Sequence, residues 1–160
     1  MTDRNVYPLN LESFGRLIEA AGYERFETDE ASHRVSLRIK GDEVTLHLDV
    51  ILGVSPDGDP WYVRFLSYAV DFSPIGAGIP EPKLMGWLNA KNADVLFGRY
   101  YWDREYDTIA FEISVPGNGG IVGEDFQDIL RIATASVDRT HGVLRELAKE
   151  PQETPAPEPE

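Results

Sequence analysis

The chain has 160 residues, with 15 Lys and Arg against 28 Asp and Glu, a formal net charge of -13, and no cysteine. That field repels phosphate backbones and anionic lipid, which argues against sequence-independent nucleic-acid binding and against a membrane surface. Without cysteine there is neither a disulfide nor thiolate chemistry, and an apolar fraction of 42% is that of one ordinary globular domain.

The amino terminus, MTDRNVYPLN, shows no basic stretch followed by an apolar one, so no signal peptide is expected. The longest apolar runs are far too short to span a bilayer, and a cytoplasmic protein is the expectation. Residues 10–22 read as a helix. Asn10 is a good N-cap, Leu11, Phe14, Leu17, Ile18 and Ala21 share one face, and Gly22 suits the left-handed turn that stops it.

The period then changes to two. A weak strand over 25–28 precedes Val35, Leu37 and Ile39, which alternate with Ser36, Arg38 and Lys40. Strands over 44–54 and 61–72 follow, separated by SPDGDP, a run of preferred turn residues. The loop at 73–82 opens on Ser73 and closes on Pro82. A short helix over 83–92 comes next, with Leu84, Trp87 and Leu88 inward and Asn89 and Asn92 at its C-terminus, where asparagine tolerates left-handed geometry. Residues 95–102 and 108–115 form a hairpin. A final helix over 124–149 keeps Phe126, Ile129, Leu130, Ala133, Val137, Leu144 and Leu147 on one face. The expected class is α+β, an antiparallel sheet of about five to six strands with three helices packed on it. Residues 1–149 form the single domain, and 150–160, EPQETPAPEPE, read as a disordered acidic, proline-rich tail.

Reaction centres are hard to assemble from these residues. GNGG at 117–120, between a strand and a helix, has the layout of a phosphate loop, but Ile121-Val122-Gly123-Glu124-Asp125 follows where lysine and a hydroxyl are needed. Two carboxylates already occupy the positive end of that helix, so a turn is the better account. His33, His47 and His141 are scattered. His47 and Asp49 are neighbours on one strand without a visible third ligand, and Asp57-Gly58-Asp59 lacks the distal oxygens of a calcium loop. Ser32, Ser36 and Ser67 have no nucleophile-elbow context. No catalytic residue, cofactor or metal is expected. The aromatics Phe97, Tyr100, Tyr101, Trp102 and Tyr106, interleaved with Arg99 and Arg104, could stack bases. Asp103, Glu105 and Asp107 beside them favour a strand core with a hairpin rim.

Around 49–52 and 61–70 the alternation fails and both faces are apolar, a pattern of strands covered on both sides. Either the helices divide between the faces, or these are central strands with a thick rim, or a second subunit or bound segment completes one face.

Leu17-Ile18-Glu19-Ala20-Ala21-Gly22-Tyr23, Trp87-Leu88-Asn89-Ala90-Lys91-Asn92, Phe97-Gly98-Arg99-Tyr100-Tyr101 and Gly119-Gly120-Ile121, in this order, resemble the YbjN-domain family of bacterial sensory transduction regulators. The resemblance covers about residues 10–147. It implies a fold similar to type III secretion chaperones, α-β-β-β-α-β-β-α. Those chaperones are small acidic homodimers that hold extended client segments. The expectation is therefore a non-enzymatic protein-binding, chaperone-like or regulatory adaptor, homodimeric, with Trp61, Phe65, Tyr68, Tyr100 and Trp102 lining the binding surface. The alternative is a small-molecule sensor with a pocket lidded by the loop at 73–82, and an enzyme with an unrecognised site ranks last.

Overall fold

Residues 4–117 and 119–151 are described by the computed structural model. In chain order they form β1 (Val6–Tyr7), α1 (Leu11–Ala20), β2 (Glu27–Asp29), β3 (Arg34–Lys40), β4 (Thr45–Val54), β5 (Pro60–Ala69), α2 (Glu81–Asp94), β6 (Arg99–Asp103), β7 (Thr108–Pro116), β8 (Ile121–Val122) and α3 (Gly123–Lys149). One antiparallel six-stranded sheet runs β2-β3-β4-β5-β7-β6, and β1 pairs with β8 in a separate two-stranded sheet. The α+β expectation holds.

The first helix begins where its cap requires. The Asn10 side chain accepts the Ser13 N–H at 2.8 Å, and Gly22 leaves the helix at φ 94°. Phe14, Leu17 and Ile18 are buried, and the Phe14 ring stacks on Phe126 of α3 at 5.8 Å. Phe126 in turn meets Phe65 of β5 edge-on at 5.1 Å. The stripe Phe126, Leu130, Ala133, Val137 and Leu144 seats α3 across the sheet, and Trp87 of α2 reaches Tyr100 of β6 at 6.3 Å. All three helices thus lie on the face that carries Leu37, Leu48, Val50, Phe65 and Phe111.

That arrangement settles the two-faced strands. The helices do not divide between the faces. On the open face, register places Arg34, Asp49, Ile51, Arg64, Leu66, Tyr68, Glu112 and Tyr101 on neighbouring strands. Long side chains cover the short ones: the Tyr62 ring lies over Gly53 so closely that a Cβ there would overlap it. On the open face only Asp49 and Gly53 of β4 are buried and none of β5 is, so the apolar runs do not by themselves demand a second subunit.

Short elements escaped the sequence pattern. Strands β1 and β8 hold two residues each, paired Val6↔Val122 and Tyr7↔Ile121. They explain the glycine run. A Cβ on Gly117 would overlap Leu9, and one on Gly120, where φ is 110°, would lie 2.5 Å from the Tyr7 carbonyl oxygen. The glycines let the amino-terminal segment lie against this turn.

The helix expected over 83–92 is longer, because Pro82 is tolerated in its first turn. The strand expected from 95 starts only at Arg99. Val95 is extended and Gly98 has φ 80°, where a Cβ would strike the Glu112 carbonyl oxygen. Asn92 is not a helix terminus. Its Oδ1 accepts the Tyr100 N–H at 2.7 Å and its Nδ2 donates to the Tyr100 carbonyl at 2.8 Å, so one amide pairs with the outer edge of β6. The expected tail lies outside the described residues except for Glu150 and Pro151. Glu150 accepts from Lys83 Nζ at 2.6 Å.

One core group links stability to pH. His141 is fully buried, its Nδ1 lies 2.7 Å from the Val137 carbonyl, and its Nε2 has no hydrogen-bond partner among the described residues. Burial pushes its pKa below the ordinary 6.5, outweighing the favourable Val137 contact. The unfolded chain therefore takes up a proton here before the folded one does. This contribution is complete above about pH 6.5 and is lost as pH falls through the depressed folded value. Urea midpoints should decline from pH 7.5 to 5, and His141→Leu should flatten that decline. An equal slope in both proteins would place the acid sensitivity elsewhere.

Candidate functional site

The five aromatics expected to line one surface do not meet on one. Phe65 points inward under Phe126 and is fully buried. Tyr100 is also inward: its ring lies 4.6 Å from Phe111, and its hydroxyl donates to the Ser136 carbonyl at 3.2 Å. Trp102 shares that face at the sheet edge, where its Nε1–H donates to Asp107 at 3.1 Å and the Arg104 guanidinium lies 4.6 Å from its ring. Tyr68 stands on the opposite, open face against His47, with ring centroids 5.2 Å apart. Of the five, only Trp61 is exposed, at 55%. Alternation sets Tyr68 opposite the other four; those four share a face but differ in depth, from the core under α3 to the sheet edge and the strand end. For the same reason Phe97, Tyr100, Tyr101, Trp102 and Tyr106 form no continuous stacking platform.

Trp61 has company that the sequence pattern missed. It is the second residue of β5, just after the turn from β4, and its carbonyl accepts the Gly117 N–H at 3.0 Å. Val54, across that turn, is exposed. The segment leading into β6 reaches the same end of the sheet, because Arg99 pairs with Glu112 while β7 runs on to Pro116. In it Leu96 is 90% and Phe97 73% exposed. Scattered exposed apolar residues are ordinary, but a row at one end of a sheet is not. The signal available in the sequence was Gly98, which ends any strand reading of residues 95–97.

The open face carries the polar grouping. Asp49, only 3% exposed, accepts from the Ser36 hydroxyl and lies 3.0 Å from His47 Nε2 and 3.9 Å from Arg34 Nη1. Burial would raise its carboxyl, but the hydrogen bonds from His47 and Ser36 and the charges of His47 and Arg34 outweigh it and hold the pKa below 3.8. This puts the carboxylate between the serine and the histidine, not the histidine between the other two. Ser36 gives its proton to a weak base, so the grouping has the order of a structural clamp and lacks that of an activated nucleophile. A cavity of about 290 Å3 adjoins it, walled by Tyr68, Tyr101 and Tyr106 over Ala110. Burial raises the Tyr68 and Tyr101 hydroxyls above their usual range, aided by the Asp49 and Glu112 carboxylates respectively. Among the described residues no three His, Asp or Glu side chains gather as a metal site.

The Asp107 carboxylate accepts the N–H groups of Ile75 and Gly76 at 3.2 and 3.0 Å, and Ile79 is buried, so the loop at 73–82 is a pinned plug. No helix among the described residues is long and apolar enough to cross a membrane.

A six-stranded antiparallel sheet backed by helices on one face defines an α+β domain. The chain belongs to the YbjN family, described as "putative bacterial sensory transduction regulator", whose model matches residues 10–145. A crystal structure titled as YbjN, "a putative transcription regulator from E. coli", is similar in fold, with a TM-score of 0.57 over 89% of this chain and 93% of that one, at 18% identity. Among curated proteins none matches in sequence.

Proposed function

We propose that this protein is a non-enzymatic regulatory adaptor that binds another polypeptide through the rim formed by Val54, Trp61, Leu96 and Phe97. The observation that carries the reading is the pair Leu96–Phe97, 90% and 73% exposed, at the same end of the sheet as Trp61. Family membership in a group described as regulators supports it, and so does an open face whose one Ser-His-Asp grouping is ordered for structure.

Magnitudes set the kind of complex. A tryptophan and a phenylalanine each burying roughly 150 Å2 at about 25 cal/mol per Å2 contribute about 7 kcal/mol before association costs of about 4–15 kcal/mol. The rim alone therefore supports transient binding. Strand addition at β6 is a poorer route, since Asn92 already occupies the Tyr100 edge groups.

Trp61→Ala and Phe97→Ala variants should stay folded and lose at least tenfold in affinity for a partner recovered with the parent protein, as hot-spot truncations of about 1.4 kcal/mol or more do. A photo-crosslinker at position 97 should capture that same partner. Equal recovery by parent and variants would overturn the rim. The partner can also be a second copy of the chain, and a scattering mass twice 17.9 kDa that returns to 17.9 kDa in Trp61→Ala would identify it as a homodimer.

A further inference from the structure

The helical side carries a second, chemically different surface. A groove of about 400 Å3 separates α2 from α3, with Lys91 on one wall, Arg131, Ile132 and Arg139 on the other, and Tyr100 as its floor. In a chain of net charge -13, three cations and no carboxylate line this groove. Lys91 and Arg139 have no ion-pair partner among the described residues, and Arg131 pairs only with the exposed Asp128 one turn away, at 3.1 Å. Exposed pairs of that kind hold little energy and leave the cation available.

We propose that the groove is the docking site of the chain's own acidic segment 152–160, QETPAPEPE. Position argues for it first. The ion pair of Lys83 with Glu150 at 2.6 Å joins the start of α2 to the end of α3, so the chain leaves α3 beside α2, on the side of the two helices between which the groove runs. From Glu150, Arg139 lies roughly 16 Å and Arg131 roughly 28 Å back along α3, at about 1.5 Å per residue. Nine residues with proline at 155, 157 and 159 span roughly 28 Å in the extended form that proline favours. Charge argues for it second: Glu158 and Glu160 come within reach of Arg139, Lys91 and Arg131. Third, the segment is tethered, so a millimolar effective concentration lets a weak site fill. Prolines lower the ordering cost, because their φ is already set.

The site is separate from the apolar rim and stands or falls independently of it. It makes the groove closed to outside acidic chains at low ionic strength and open in salt.

The test compares amide 15N spectra of the full chain and a chain ending at Pro151. At about 20 mM salt, resonances of Lys91, Ile132 and Arg139 should differ between the two. Raising salt to about 0.5 M, where the screening length falls to a few Å, should move the full chain toward the shortened one. Arg139→Glu and, separately, Lys91→Glu in the full chain should reproduce the shortened-chain shifts. The thermal midpoint of the shortened chain should stay within about 3 °C of the parent, as a surface change does. Identical groove resonances in the two chains at low salt would overturn the proposal. So would poly-glutamate binding the full chain as tightly as the shortened one, since the groove would then be empty and fitted to an external acidic partner.

Discussion

Phe65→Ala is expected to destabilise the protein by about 3–5 kcal/mol, while Trp61→Ala, four positions earlier on the same strand, should cost less than about 1 kcal/mol. Phe65 lies under α3 with its ring 5.1 Å from Phe126, and Phe126 stacks on Phe14 of α1, so one truncation opens the junction of sheet and two helices. Neighbours this tightly held cannot collapse into the space, and the cost is transfer free energy plus a cavity term. Trp61 is 55% exposed and leaves no cavity behind. Thermal unfolding should register Phe65→Ala as a drop of roughly 10 °C, at about 2–4 °C per kcal/mol for this size of chain. Equal losses for the two variants would mean that Trp61 is a core residue, and the rim would lose its anchor.

The second large effect belongs to Asn92. Removing its side chain strips both partners from the Tyr100 peptide, whose residue is 5% exposed, and should cost about 2–4 kcal/mol. Asn92→Asp keeps the acceptor but sets a carboxylate against the Tyr100 carbonyl oxygen, so it should be no better than alanine. A second consequence separates this from a simple packing loss. With its plug gone, β6 presents unpaired backbone at the sheet edge, and such edges recruit other strands. Light scattering at rising concentration should show association in Asn92→Ala and none beyond the parent's in Phe65→Ala at matched stability. A monodisperse Asn92→Ala with parental stability would show that the amide contributes nothing to the edge.

Both predictions concern residues whose type was evident in the sequence and whose role was not. Asn92 reads locally as a helix terminus. Its partner is eight residues away, beyond a turn whose path depends on Gly98, and a side chain that pairs with an edge strand leaves no periodic trace. The aromatics on β5 and β6 were visible as a dense group, yet the group dissolves once alternation assigns Phe65 and Tyr100 inward and Tyr68 and Tyr101 outward. The Leu96–Phe97 pair was hidden by the opposite error, a strand extended through residues that the structure leaves in a loop.

What the sequence determined by itself is local and periodic. Asn10 and Gly22 delimit α1, period two marks β3, apolar runs between turn residues mark β4 and β5, and the long stripe from Phe126 to Leu144 commits α3 to one face, because caps, turns and hydrophobic spacing act within a few residues. The order of the longer elements and the α+β class followed from these alone. Tertiary structure decided the rest: that every helix takes the same side of the sheet, that β1 closes on β8 over the glycine turn, that Asp49 sits between Ser36 and His47, and that Lys91 and Arg139 face one groove. Each of these depends on contacts between segments far apart in the chain, where burial on one side chain's surface is set by another element's register. A linear pattern records which face of a residue is apolar. Only the assembled sheet decides what lies against it.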